Sequence, residues 1–211
     1  NIVDILFWED VYGHNQISPK FEFNLPVVIM AGGYGTRLKP LTNVLPKPLL
    51  PIEDKTMLEH IFERFSKYGC NEFHISVNYK ADLIEYYIKQ QELDQFEFNF
   101  FREDKPLGTA GSLSLIKDYL KETFFVTNCD ILIEQDYSEV LDYHRTHKNE
   151  LTIVAAIKNY DIPYGTITTG NQGQLLELSE KPRHNYKINS GMYVLEPHLL
   201  DEIPEGEFFH I

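Results

Sequence analysis

Basic residues are scarce in this sequence. Its 211 residues include 19 Lys and Arg against 32 Asp and Glu, so the formal net charge is −13. A protein that binds duplex nucleic acid needs a positive footprint for the phosphate backbone, and this balance argues against that class. The negative net charge is compatible with a basic pocket on an otherwise acidic surface.

Long apolar runs and cysteines are scarce as well. Apolar stretches such as residues 27–31 are far shorter than the ~18 residues of a membrane span, and residues 1–9 lack the basic start of a signal peptide. The only cysteines, Cys70 and Cys129, make no disulfide framework, and no Asn-x-Ser/Thr sequon occurs. These absences favour a reducing, cytoplasmic setting with neither membrane nor nucleic acid as a partner.

The remaining composition is that of an ordinary globular protein, with 43% hydrophobic and 24% charged residues. Residues 1–25 show no sustained period and are predicted to be a connector or N-terminal extension. From residue 26 onward, predicted strands alternate with predicted helices. The strands are 27–31, 73–77, 96–101 and 124–127, and the helices are one capped by Asp54 and ended by Gly69, then 81–90, 110–120 and 138–147.

This alternation predicts an α/β fold, with a parallel sheet and helices on both of its faces. After residue 151 the pattern changes to predicted strands at 153–157, 165–168, 175–179 and 188–195, with a hairpin turn at 170–173 and a short helix at 197–203. Open α/β sheets bind ligands at the carboxyl ends of their strands, so the residues that follow each strand are the candidate site.

A glycine-rich loop follows the first buried strand. Residues 27–52 contain Arg37, Lys39 and Lys47 and no acidic residue. Glycines let successive backbone N–H groups approach an anion, and arginine supplies a bidentate fork for phosphate. The stretch lacks the Walker A sequence and fails the third glycine of G-x-G-x-x-G. We therefore expect a phosphate site of another type, the alternative being a surface turn with solvated cations.

Several motifs together resemble one family. Five segments are similar, in order, to the signatures of the sugar-1-phosphate nucleotidyltransferases. They are AGGYGTRLKPLT with PKPLLPI, PLGTAGS at 106–112, VTNCD at 126–130, EKP at 180–182 and NSG at 189–191. Within that family, their residues most resemble those of guanylyltransferases. The resemblance implies a Rossmann-like three-layer α/β/α core with a mixed, mostly parallel sheet and a β-rich sugar-binding portion. It also implies a reaction of a nucleoside triphosphate and a sugar 1-phosphate that gives a nucleotide sugar and pyrophosphate.

The resemblance implies roles for particular residues. Arg37, Lys47 and Asp130 would be catalytic, and Asp130 would hold Mg²⁺. The triphosphate would lie against Ala31, Gly32, Gly33, Gly35 and Thr36, and the base against Gly108 and Thr109. The sugar phosphate would contact Gly165, Glu180, Lys181, Asn189 and Gly191. The alternatives are a turn or helix cap for Asp130, a solvated charge pair for Glu180 and Lys181, and a strand bulge for Gly165.

Glu103 lies near the base by the same analogy. A carboxylate only accepts hydrogen bonds, and guanine offers it two adjacent donors, whereas thymine and uracil offer one donor between two carbonyls. We therefore expect GTP as substrate, with an exposed acid that contacts no base as the alternative. The sugar stays open among glucose, mannose and glucosamine 1-phosphates.

One family feature has no counterpart here. No residue matches the second metal-binding aspartate, so we expect residues 26–211 to be a nucleotidyltransferase domain that lacks its C-terminal end. The alternatives are a catalytically silent nucleotide-sugar-binding homologue and a glycosyltransferase. The family also allows a homo-oligomer and an upstream regulatory domain in a longer chain. Two histidines, His144 and His147, are predicted to lie on an exposed helix face rather than at a metal.

Overall fold

The computed structural model describes residues 21–211 and the strand β1 (Ile5–Leu6), so most of the predicted extension lies outside the described residues. The central sheet contains β1 and six further strands, which are β2 (Val27–Met30), β5 (Glu72–Val77), β6 (Glu97–Arg102), β7 (Phe124–Asn128), β8 (Leu151–Asp161) and β11 (Arg183–Leu195). The order of the seven strands is β1-β8-β11-β7-β2-β5-β6. β11 runs antiparallel to both of its neighbours and the other pairs are parallel, which confirms a mixed, mostly parallel sheet.

Four α-helices accompany the sheet in the described residues. They are the short α1 (Leu41–Val44), then α2 (Met57–Ser66), α3 (Ala81–Gln90) and α4 (Tyr137–Thr146). A small hairpin of β3 (Pro51–Ile52) and β4 (Lys55–Thr56) leads into α2. The N-cap of α2 is Thr56, not Asp54 as predicted, because Thr56 and Glu59 satisfy each other's backbone N–H groups in a capping box. None of these helices is long and apolar enough to cross a membrane.

The alternation of side chains along β2 divides the core into two layers. Val27 and Ile29 pack with residues of α2, α3 and α4, whereas Val28 faces a second cluster on the other side of the sheet. That second cluster is covered by two 3₁₀ turns, Gly111–Ile116 and Pro197–Glu202. The three-layer α/β arrangement is therefore confirmed, although 3₁₀ turns rather than α-helices cover the second face.

The predicted α-helix at 110–120 is wrong. Gly111–Ile116 forms a 3₁₀ turn, in which the N–H of Leu113 bonds to the carbonyl of Ala110. Ser114 Oγ also donates to the Gly111 carbonyl at 2.7 Å. Glycine and serine favour such local alternatives over an α-helical ladder, which explains the difference.

The predicted exposure of His144 is also wrong. Its side chain is buried, with Nδ1 2.8 Å from Thr152 Oγ1 and Nε2 3.1 Å from Glu196 Oε1, whereas His147 is exposed as predicted. Burial lowers the pKa of His144 from its ordinary value, so the imidazole is held in its neutral form. The residue joins α4 to β8 and to the end of β11, at the edge of the sheet opposite the candidate site.

β8 and β11 extend together beyond the core as an antiparallel arm. Their pairing continues from Leu195 opposite Leu151 out to Arg183 opposite Asp161, with an irregularity between Asn189 and Met192. A hairpin of β9 (Thr166–Thr169) and β10 (Leu175–Ser179) lies between them in the chain. The turn at 170–173 joins these two strands, as predicted.

The strand order also places a ligand crevice. Beginning at β2, the chain adds β5 and β6 on one side and then crosses to add β7 on the other. At such a switch point the loops after the two central strands diverge and leave a crevice between them. The glycine loop follows β2 and Asp130 follows β7, so both border that crevice.

Candidate functional site

The conformation of the glycine loop is fixed by Thr42, a residue that was not predicted to have a role. Gly35 has φ 61° and opens a 3₁₀ turn, Thr36–Leu38. Thr42 is buried, and its Oγ1 donates to the Gly35 carbonyl at 3.0 Å. A Cβ on Gly35 would lie 2.7 Å from the Thr42 methyl and 3.3 Å from Lys47 Cβ, so only glycine fits there.

The other loop residues are available to a ligand. Ala31 is buried and its N–H bonds to the Ser76 carbonyl at 3.0 Å, which fixes the start of the loop. Gly33, Thr36 and Arg37 are exposed, and a Cβ on Gly33 would meet nothing within 4 Å. Among the residues that the structure describes, Arg37 has no ion-pair partner, so its guanidinium is free to meet an anion.

Lys47 and Asp130, which are 83 positions apart, form an ion pair through Nζ and Oδ2. Lys47 begins a 3₁₀ turn between two prolines, and Asp130 follows β7, so a stiff segment and a strand end bring them together. Their side chains are 20% and 30% exposed. This pair places a cation and a carboxylate side by side at the crevice.

Glu103 is not an exposed acid. It is 8% exposed, and its Oε1 accepts from the hydroxyl of Ser76 while Oε2 accepts from the Leu107 N–H at 3.1 Å. A Cβ on Gly32 would lie 2.7 Å from that same Oε1. The carboxylate therefore ties the glycine loop, the end of β5 and the segment at 106–112 together.

The segment at 106–112, called the base loop after the role that the resemblance predicts for it, is covered by residues 207–211. Phe209 bonds through its N–H to the Leu107 carbonyl at 2.9 Å, and its carbonyl accepts from Ala110 N–H at 3.0 Å. A Cβ on Gly108 would come within 2.5 Å of the Phe209 carbonyl oxygen, and one on Gly111 within 2.3 Å of the Glu207 carbonyl oxygen. Packing against residues 207–211 therefore requires glycine at both positions, which the sequence pattern did not indicate.

The NSG motif meets the NCD motif at the crevice. Gly191 has φ 86°, and a Cβ there would lie 2.3 Å from Asn128 Nδ2. Asn189 accepts the Gly191 N–H through Oδ1 at 2.9 Å and donates through Nδ2 to the Tyr193 hydroxyl at 2.7 Å. Asn189 therefore shapes the turn that carries Gly191 toward the end of β7.

The predicted sugar-site residues of the arm form a second group. A Cβ on Gly165 would lie 3.0 Å from Glu180 Oε2, so these two residues are neighbours. Lys181 has φ 47°, and both Glu180 and Lys181 are exposed. The irregularity between β9 and β10 lies at Leu175–Glu177 rather than at Gly165, so the bulge interpretation of that glycine is wrong.

Mg²⁺ has one candidate protein ligand here. In the described part of the chain, no three His, Cys, Asp or Glu side chains converge on a common centre. Mg²⁺ is often held by one or two carboxylates together with substrate phosphates and water. Asp130, partly exposed and next to the phosphate-type loop, fits that arrangement.

Comparison with known proteins agrees with this architecture. Residues 26–207 match the family model described as nucleotidyl transferase. The mannose-1-phosphate guanylyltransferase catalytic subunit beta of Dictyostelium discoideum is 37% identical over 185 residues, which are 85% of this chain and 52% of that protein. The mannose-1-phosphate guanyltransferase of Saccharomyces cerevisiae is 35% identical over 184 residues, covering 83% of this chain and 51% of that protein.

Solved structures show the same fold. HddC from Yersinia pseudotuberculosis, also solved in complex with GMP-PN, superposes with a TM-score of 0.68 at 29% identity over 87% of this chain and 82% of that one. The chain spans about half the length of the curated relatives it matches. On the family match and these identities, the chain belongs to the nucleotidyl transferase family.

Proposed function

We propose that this chain carries the nucleotide-binding and phosphate-binding parts of a sugar-1-phosphate nucleotidyltransferase that uses GTP. The observation that supports this most is the ion pair of Lys47 and Asp130 beside the Gly35 turn, at the switch point of the sheet. The reaction joins two polyanions, so the site must position them and offset their charge.

The chemistry would be an in-line displacement. An oxygen of the sugar phosphate attacks the α-phosphorus of the triphosphate, the new P–O bond forms, and the bond to pyrophosphate breaks. The exposed Arg37 would bind the phosphates that leave, and Lys47 would orient the phosphates that react. Mg²⁺ held by Asp130 would supply a divalent charge to phosphate oxygens.

Guanine is the base that the site favours. The Glu103 carboxylate has about four lone-pair positions, and the two contacts with Ser76 and Leu107 leave others for a base. Guanine can give it two donors, N1–H and N2–H₂. The relatives are mannose-1-phosphate guanylyltransferases and HddC has been solved with GMP-PN, and both facts support the same base.

Mannose 1-phosphate is the first sugar to test, because the relatives are named for it. Glu180 and Gly165 on the arm would contact the sugar hydroxyls, and Lys181 would bind its phosphate. The turn of Asn189 and Gly191 would bring backbone close to the sugar ring. In this arrangement the arm would bind the sugar, and the carboxyl ends of the central strands would bind the nucleotide.

The test is pyrophosphate release by the full-length protein with Mg²⁺. Each of GTP, UTP, dTTP and CTP is paired with mannose, glucose and glucosamine 1-phosphates. We expect turnover with GTP and mannose 1-phosphate, and a loss of roughly 100-fold or more in Asp130→Asn and Arg37→Ala.

The matched control is Asp118→Asn, which changes an exposed aspartate in the turn that follows Gly111–Ile116. Equal rates with all four nucleotides would contradict the base assignment. Binding of nucleotide or nucleotide sugar without turnover for any pair would instead support a regulatory, nucleotide-sugar-binding protein.

A further inference from the structure

The base loop carries a contact that none of the motifs includes. Thr109 lies at the centre of that loop, and its closest polar neighbours belong to residues 210 and 211, about a hundred positions later. His210 Nδ1 is 3.0 Å from Thr109 Oγ1 and 3.4 Å from Thr109 N. Ile211 N donates to Thr109 Oγ1 at 3.2 Å.

The chemistry of these four groups fixes the direction of every bond. A backbone N–H can only donate, so Nδ1 of His210 must accept and its ring proton must be on Nε2. Thr109 Oγ1 accepts the Ile211 N–H and directs its own hydrogen to Nδ1, so the single Nδ1 lone pair is shared between the Oγ1 hydrogen at 3.0 Å and the Thr109 N–H at 3.4 Å. The neutral Nδ1–acceptor form of His210 is therefore the one that fits the loop.

We propose that His210 is a positioning residue for the nucleotide, because it holds Thr109 and the base loop in the binding conformation. This inference rests on the proposed function, in which the base loop contacts the nucleotide. The loop is fixed by Glu103 on one side, through the Leu107 N–H, and by residues 207–211 on the other. Among the described residues, His210 alone acts on Thr109 through a side chain, so its removal separates this contact from the backbone contacts of Phe209.

The experiment compares four variants of the full-length protein. His210→Ala removes the acceptor, His210→Asn returns an oxygen at the position of Nδ1, and His210→Gln places its oxygen farther out. His198→Ala is the matched control, since His198 is exposed and lies in the 3₁₀ turn after β11.

For His210→Ala we expect the KM of the nucleoside triphosphate to rise about fivefold, the effect of one net hydrogen bond. The KM of the sugar phosphate and kcat should stay within about twofold of wild type. His210→Asn should restore the nucleotide KM and His210→Gln should not. A general structural role would not produce that split or that pattern of rescue. An unchanged nucleotide KM in His210→Ala, or equal behaviour of the Asn and Gln variants, would overturn the proposal.

A second measurement needs no ligand or turnover. Amide hydrogen exchange at Thr109 should accelerate in His210→Ala and return toward wild type in His210→Asn, because the Thr109 N–H loses and then regains its acceptor. If wild type shows no turnover with any substrate pair, the proposed function fails, and the exchange still decides whether His210 holds the loop. Unchanged exchange at Thr109 would overturn the inference regardless of activity.

Discussion

The packing of Gly32 against Glu103 predicts a strong energetic coupling between these two residues. A Cβ added at Gly32 would come within 2.7 Å of Glu103 Oε1. A carboxylate at the end of a flexible side chain could usually move away. This one is buried, and both of its oxygens already accept hydrogen bonds from Ser76 and Leu107.

The magnitude follows from those contacts. Displacing Glu103 in Gly32→Ala breaks at least one of its hydrogen bonds and leaves a buried donor unsatisfied, which costs about 1–3 kcal/mol. Glu103→Ala should have a cost of similar size for the same reason. In the double variant the clash is absent, and replacement of glycine by alanine at this ordinary φ stabilises by about 0.4–1 kcal/mol. We therefore expect the double variant to be no less stable than Glu103→Ala alone.

The assay is equilibrium urea denaturation of wild type, both single variants and the double variant. The expected coupling free energy is at least about 1 kcal/mol in favour of the double variant, well above the ~0.5 kcal/mol scatter for independent sites. Additive effects of the two substitutions would refute the argument that Glu103 is fixed against the glycine loop. Gly33→Ala is the matched control, because its Cβ would meet no atom within 4 Å.

Three further predictions concern stability and reactivity. Thr56→Ala removes the α2 capping box and should lower the free energy of unfolding by about 1 kcal/mol, or the melting temperature by about 2–4 °C; an unchanged melting curve would contradict it. Burial lowers the pKa of His144, so the unfolded state binds the extra proton: stability should fall as pH drops from about 6.5 toward the folded pKa, and His144→Gln should show a smaller fall between pH 7.5 and 5. Burial raises the pKa of both Cys70 and Cys129 to about 12, so neither thiol should react with a disulfide reagent at pH 8 until the protein is unfolded, and fast reaction of the native protein would disprove this.

The bounds of some helices and strands were predictable from local sequence pattern. The helix Ala81–Gln90 and the strand Leu175–Ser179 have the predicted bounds. In both, the apolar residues that define the element and the residues that end it are close together in the sequence, so the local pattern is sufficient. The buried position of His144 was also readable. It continues the i, i+3, i+4, i+7 series of Tyr137, Val140 and Leu141 on one face of α4.

Contacts between distant segments were not predictable. The motifs singled out both Lys47 and Asp130, but they did not indicate that a 3₁₀ turn and the end of β7 would bring the two side chains into an ion pair. Ser76 and His210 lie outside the motifs and Thr42 is the last residue of one, and these three side chains contact residues 27, 101 and 7 positions away. Gly108 was predicted to contact the base, whereas in the structure the backbone of residues 207–211 leaves no room for a side chain at Gly108 or Gly111.

The irregularity in β11 determines which side chains of the arm lie on which face. Asn189 pairs with Ala155 and Met192 with Val154, so Ser190 and Gly191 are two extra residues in one strand. Two is an even number, so the alternation of side chains continues unbroken from core to arm. Loss or gain of a single residue there would turn every side chain beyond it to the opposite face, exchanging the row of Tyr186 and Ile188 with that of Lys187. The register at residues 189–192 therefore constrains the length of the chain there, whereas the turn at 170–173 lies outside the paired strands and its length does not affect this alternation.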